Sequence, residues 1–139
     1  MLPTITWEND VVVMIDQRKL PQKEVYLKLR SVEQVALAIE NMTIRGAPAI
    51  GLAAAYGLAL ATHQVKSEKN LDETFEKAYE RLWRTRPTAR NLFWALERMK
   101  RVFNKNRKQG LEALKDVLLA EAKKMDMEDL AMNMKIGEY

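Results

Sequence analysis

The stretch Met42-Thr43-Ile44-Arg45-Gly46-Ala47-Pro48-Ala49-Ile50-Gly51-Leu52-Ala53-Ala54-Ala55-Tyr56-Gly57 decides how this chain is organised, because it reads as a tight turn feeding a buried helix. Gly46 lets the backbone turn sharply. Pro48 suits a first helical turn, where its missing N–H would have had no intrahelical partner, and the alanine-rich run that follows favours helix. Arg45 stands at the mouth. A cation, small residues and the free N–H groups of a helix start together form a receptor for phosphate or another anion. The same residues also fit a structural turn whose arginine is solvated or ion-paired, and spacing alone leaves both readings open.

Towards the amino terminus, Thr4-Ile5-Thr6-Trp7, Val11-Val12-Val13-Met14-Ile15 and Glu24-Val25-Tyr26-Leu27-Lys28-Leu29 are β-branched or alternating, with breaks at Glu8-Asn9-Asp10 and Lys19-Leu20-Pro21-Gln22. This pattern predicts an antiparallel meander with Val25, Leu27 and Leu29 on one face and Tyr26 and Lys28 on the other. Ser31 then reads as a helix cap, with Gln34 completing a capping box ahead of Val35, Ala38 and Ile39. Beyond the alanine-rich helix, Lys66 to Asn70 is a loop and Asn70 a further cap. Leu71, Phe75, Ala78 and Leu82 share one helical face. Thr85-Arg86-Pro87-Thr88-Ala89 breaks the pattern, Leu92, Leu96, Met99 and Phe103 mark another helix, and Lys105 to Gly110 is a basic turn. Leu111, Leu114, Leu118, Ala122 and Met125 mark a last long helix. The expected fold class is therefore α+β, a meander over about 1–30 followed by a helical bundle over about 31–139.

The 139 residues suit one domain, and 47% apolar residues with few glycines (5) and prolines (4) are those of a globular, helix-rich chain. There is no cysteine, which excludes disulfides, thiolate metal sites and a cysteine nucleophile within these residues. The single histidine, His63, excludes a histidine metal cluster and reads as structural, near the end of the alanine-rich helix. No cofactor and no metal is expected. A net charge of +4 says little about partners. The apolar run from Ala47 to Ala61 falls short of the roughly 18 residues of a membrane span, and with no signal-like layout at the amino terminus a soluble, cytoplasmic protein is expected.

Thr85-Arg86-Pro87-Thr88 is a second arginine ahead of a second helix start, so two such mouths brought together would clamp a phosphate. A cap from Thr85 or Thr88 with an ordinary first-turn Pro87 explains the motif equally well. The six basic residues Arg98, Lys100, Arg101, Lys105, Arg107 and Lys108 surround one aromatic, Phe103, which lies on the apolar stripe. They read as a solvated face, and no nucleic-acid partner is expected. Gly51 and Ala55, four apart among small residues, imply close approach of a neighbouring helix. Asp10, Asp16 and Glu24 are not spaced to place two carboxylates over one substrate, so no acid–base pair is evident. Met125, Met127, Met132 and Met134 either fill gaps in this domain's core or face a partner domain.

Three motifs carry a resemblance through the whole chain: Ile15-Asp16-Gln17-Arg18-Lys19-Leu20-Pro21, Met42 to Gly57, and Arg86-Pro87-Thr88-Ala89-Arg90-Asn91-Leu92-Phe93-Trp94-Ala95-Leu96. Together they are similar to the amino-terminal motifs of the methylthioribose-1-phosphate isomerase family, metal-free aldose–ketose isomerases of methionine salvage. The resemblance implies that Arg45, Gly46, Ala47 and Arg86 bind a phosphorylated sugar substrate. It implies that the catalytic cysteine and aspartate belong to a Rossmann-like domain beyond Tyr139, that the full-length protein is a homodimer, and that this chain is an amino-terminal domain without turnover of its own. Related ribose-1,5-bisphosphate isomerases and regulatory subunits of the translation-initiation exchange factor share the overall fold, and a non-enzymatic module of the latter kind is the alternative.

Overall fold

The structure, a computed structural model, describes residues 5–44, 46–86 and 89–137, with side chains described for all of these but 47 and 129–137. Three antiparallel strands, β1 (Ile5–Glu8), β2 (Val11–Ile15) and β3 (Tyr26–Leu29), form a sheet in the order β1-β2-β3. Asn9 and Asp10 both adopt positive φ, 49° and 63°, so the first hairpin closes through a two-residue turn whose twist matches the strands. The register sets Val12 opposite Leu29 and Met14 opposite Leu27, which puts these four on one face with Ile5 and Trp7. That face covers the helices, as the alternation predicts. β3 starts two residues later than expected, because the Val25 carbonyl is drawn into a hydrogen bond from the Asp16 N–H (2.7 Å).

Five helices follow among the described residues: α1 (Val32–Glu40), α2 (Ala47–His63), α3 (Leu71–Trp83), α4 (Arg90–Asn106) and α5 (Leu111–Gly137). α2 is the axis of the domain. Every residue from Ile50 to Ala61 is buried, with α1, α3, α4, α5 and the sheet all packed on it, as an all-round apolar helix requires. Its small residues let neighbours approach closely. A Cβ on Gly51 would come within 2.9 Å of the Asn91 carbonyl oxygen in α4, and one on Gly57 within 3.2 Å of Leu82 and Val35 side chains. The amphipathic faces read from sequence are those buried: Leu71, Phe75, Ala78 and Leu82 on α3, Leu92, Leu96, Met99 and Phe103 on α4, and Leu114, Leu118, Ala122 and Met125 on α5. Phe75 and Phe103 stack at 3.9 Å and join α3 to α4.

Several local expectations are revised. Ser31 does cap α1, accepting from the Gln34 N–H (3.2 Å), but Gln34 Oε1 accepts from the Arg30 N–H (2.6 Å) where a capping box would reach Ser31. Asn70 gives no side-chain cap, since Glu68–Asn70 is a 3-10 turn, capped by Ser67, that runs into α3. The expected basic turn at 105–110 is partly helix, with α4 continuing to Asn106 and a 3-10 turn at Arg107–Gln109 before Gly110 at φ 99°. Of the methionines, Met125 is in the core and Met127 is 71% exposed, while the Met132 and Met134 side chains lie outside the described residues. No helix among the described residues is long and apolar enough to cross a membrane.

Candidate functional site: two uncapped helix mouths

Two helices begin side by side without side-chain caps. α2 starts after Gly46, whose φ of 92° belongs to the region glycine favours and which has no side chain with which to cap the first-turn N–H groups. α4 starts after Ala89, which has no side-chain oxygen to offer. Thr85 does not cap α4: its hydroxyl donates to the Leu82 carbonyl (2.6 Å) and closes the end of α3. Pro87 and Thr88 lie outside the described residues. The Gly51–Asn91 approach then fixes the second turn of α2 against the first turn of α4, so the positive ends of two helix dipoles open on the same side of the domain.

Of the four residues expected to bind substrate, three fall in the described backbone. Gly46 is the exposed N-cap of α2, Ala47 is its first residue, and Arg86 is half-buried in the segment before α4, its carbonyl accepting from the Ala89 N–H (3.0 Å). Among the described residues no carboxylate pairs with the Arg86 guanidinium. Arg45 lies outside the described residues.

The approach to the α2 mouth is braced from the sheet. Asp16, 2% exposed, follows β2 and accepts from the Arg18 backbone N–H (3.0 Å), from Arg18 Nε (2.9 Å) and from Arg18 Nη2 (2.8 Å). The hydrogen bonds from Arg18 hold its carboxyl below the usual aspartate range, against the opposing effect of burial. The adjacent Gln17 N–H donates to the Thr43 carbonyl (2.8 Å), and Thr43 donates through both its N–H (3.0 Å) and its hydroxyl (2.6 Å) to Asn41 Oδ1. Asp16 is therefore spent on holding a loop that leads to Gly46. This explains why its motif stands beside the helix-mouth motifs.

Next to the two mouths lies an open groove of about 460 Å³, walled by Pro48, Gly51 and Leu52 of α2, Asn91, Trp94, Ala95 and Arg98 of α4, and Met125 and Glu128 of α5. Sequence reasoning missed it. Its one available signal was Trp94, which falls off the apolar stripe of α4 and is 55% exposed. At the other end of α2, His63 Nε2 lies 3.0 Å from Asp10 Oδ1 and its ring meets Trp7 edge-on at 5.3 Å, consistent with a structural role. Burial, with a smaller contribution from Asp126, pushes the neighbouring Tyr56 phenol up to about 12. Among the described residues no group of three acidic or histidine side chains is placed to hold a metal ion.

These features belong to a known class. Residues 43–139 match the model of the initiation factor 2 subunit family, and the chain belongs to that family. It is 44% identical over 99% of its length to a methylthioribose-1-phosphate isomerase of Carboxydothermus hydrogenoformans, and 46% identical over 98% to that of Geobacter sulfurreducens. In each case it spans 40% of the relative's length. The crystal structure of 5-methylthioribose 1-phosphate isomerase from Pyrococcus horikoshii superposes with a TM-score of 0.95 at 45% identity, over 100% of this chain and 40% of that one. The delta subunit of translation initiation factor eIF-2B from A. fulgidus superposes with a TM-score of 0.86 at 39% identity, over 94% of this chain and 38% of that one.

Proposed function

We propose that this chain is the amino-terminal, phosphate-binding part of an S-methyl-5-thioribose-1-phosphate isomerase, with Arg45, Gly46, Ala47 and Arg86 holding the substrate phosphate. The observation that carries the reading is the pairing of two uncapped helix starts, α2 after Gly46 and α4 after Ala89, with Arg86 beside the second and free of a described carboxylate. A phosphate there would accept from backbone N–H groups and from guanidinium donors, each charge-assisted contact contributing about 1.5–3 kcal/mol. The phosphate on the anomeric carbon blocks spontaneous opening to a free aldehyde. Isomerisation then needs assisted ring opening and transfer of hydrogen between the first two carbons, which calls for an acid and a base in a water-poor pocket. This chain has no cysteine, and in this reading the acid and base come from the remaining length its relatives possess, and the chain alone does not turn over.

NMR titration of the chain with methylthioribose 1-phosphate is the direct test. Shifts at the amides of 46–49 and 89–92, and a 10- to 100-fold weaker affinity in Arg86→Ala, are expected; an unchanged affinity removes Arg86 from the site. Measurable isomerase turnover by the purified chain would overturn the division of labour. The likeness to the eIF-2B delta subunit favours a second reading, a non-enzymatic regulatory module. That reading predicts no sugar-phosphate shifts at either mouth.

A further inference from the structure

The groove beside the two mouths has a chemistry of its own. Pro48, Leu52, Trp94, Ala95 and Met125 give it apolar walls, and its volume is in the range of small-ligand sites. Arg98 is the one cation among its lining residues and is already committed: Nε meets Glu121 at 2.6 Å, Nη2 meets Glu128 at 2.7 Å, and the guanidinium lies 5.3 Å from the centre of the Trp94 ring. Arg98 and Glu128 balance each other on this wall, and Glu121 behind it further engages the guanidinium. A phosphate finds no uncommitted cation among the described lining residues here, while an apolar group has an indole face, a thioether and aliphatic carbon to rest on. Leu52 is six residues into α2 from Gly46, about 9 Å along the axis at 1.5 Å per residue, a spacing that suits the two ends of a pentose derivative.

We propose that this groove is the subsite for the far end of the sugar 1-phosphate, and that Trp94 and Met125 select an uncharged thioether substituent there over a hydroxyl or a second phosphate. The inference rests on the helix mouths being the phosphate site. A thioether sulfur against the Trp94 ring and the Met125 side chain makes soft, polarisable contacts that a hydroxyl does not. A second phosphate would face Glu128 with no free cation among the described lining residues, so the same wall that accepts the thioether disfavours a bisphosphate.

The test is a three-ligand titration of the chain with methylthioribose 1-phosphate, ribose 1-phosphate and ribose 1,5-bisphosphate, following the Trp94 indole N–H by NMR. Methylthioribose 1-phosphate is expected to shift that signal and to bind about tenfold more tightly than ribose 1-phosphate, with the bisphosphate weakest. In Trp94→Ala the ratio of the first two affinities should fall towards one, and in Trp94→Phe it should be largely retained; circular dichroism of each variant establishes that it is folded. If all three ligands shift the 46–49 amides with equal affinity and the indole stays still, the subsite is wrong and the phosphate site stands. If none binds, both fall. An indole signal that moves with protein concentration and not with ligand overturns the proposal in favour of a contact between copies of the chain.

Discussion

The basic segment from Arg98 to Lys108 and Arg86 ahead of α4 differ in how their positive charge is engaged. In the segment, Arg98 bridges to Glu121 and Glu128, Arg107 forks onto Asp72 (2.8 and 3.1 Å), and Lys100 sits over the Tyr79 ring at 4.9 Å. Its best-placed cations hold helices together, and Arg101, Lys105 and Lys108 are exposed to solvent. Arg86 has no described carboxylate and lies beside a helix start that no side chain caps. The difference teaches that density of charge does not by itself leave a cation available to a ligand. An arginine already clasped by carboxylates must surrender them before it can take a ligand, whereas one left unpaired among free N–H groups gives up only water.

The comparison can be broken by mutation. The largest effect on stability is expected in Arg98→Ala, which leaves Glu121 and Glu128, two turns apart on α5, without their shared cation; a loss of about 2 kcal/mol in urea unfolding is anticipated, below the fully buried case because Glu128 is solvent-exposed. Arg86→Ala should leave the urea midpoint unchanged while weakening sugar-phosphate binding. Acid should act through the paired carboxylates. Hydrogen bonds from Arg18 lower the pKa of Asp16, and those from Arg81 lower the pKa of Glu33 and Glu40. Each is lower in the folded than in the unfolded chain, so its contribution is full above the ordinary carboxylate range and fades as pH falls below it towards the folded values. Arg81→Ala should flatten that acid limb and Arg86→Ala should not. Gly51→Ala places a Cβ 2.9 Å from the Asn91 carbonyl oxygen and must push α4 away from α2. Overpacking outweighs the gain in helix propensity by about 1 kcal/mol, and the NMR shifts of the 89–92 amides should move with it. Arg107→Ala is expected to cost less than about 1 kcal/mol, as an exposed pair does.

Much of this architecture was legible because it is periodic. The positions Leu92, Leu96, Met99 and Phe103 announce a buried helical face at any tertiary arrangement, and an alanine-rich run without a polar side can only be central. What escaped were single hydrogen bonds with several candidate partners. Gln34 could reach Ser31 or Arg30, Thr85 could look forward to α4 or back to Leu82, and Asn70 could cap or pass into a 3-10 turn. Such choices differ by about 1 kcal/mol and are settled by neighbours that the local sequence does not contain. The groove escaped for another reason: Pro48, Trp94 and Met125 share no periodicity and meet only when three helices are packed.

The sequence by itself determined the sheet-then-helices order, the central helix, and the residue types at two helix mouths, since backbone preference and side-chain period are local properties. Only the tertiary structure decided that the two mouths open together, because the Gly51–Asn91 contact joins segments far apart in the chain. It alone also showed which cations are spent, since an arginine's availability depends on which carboxylates folding brings within reach.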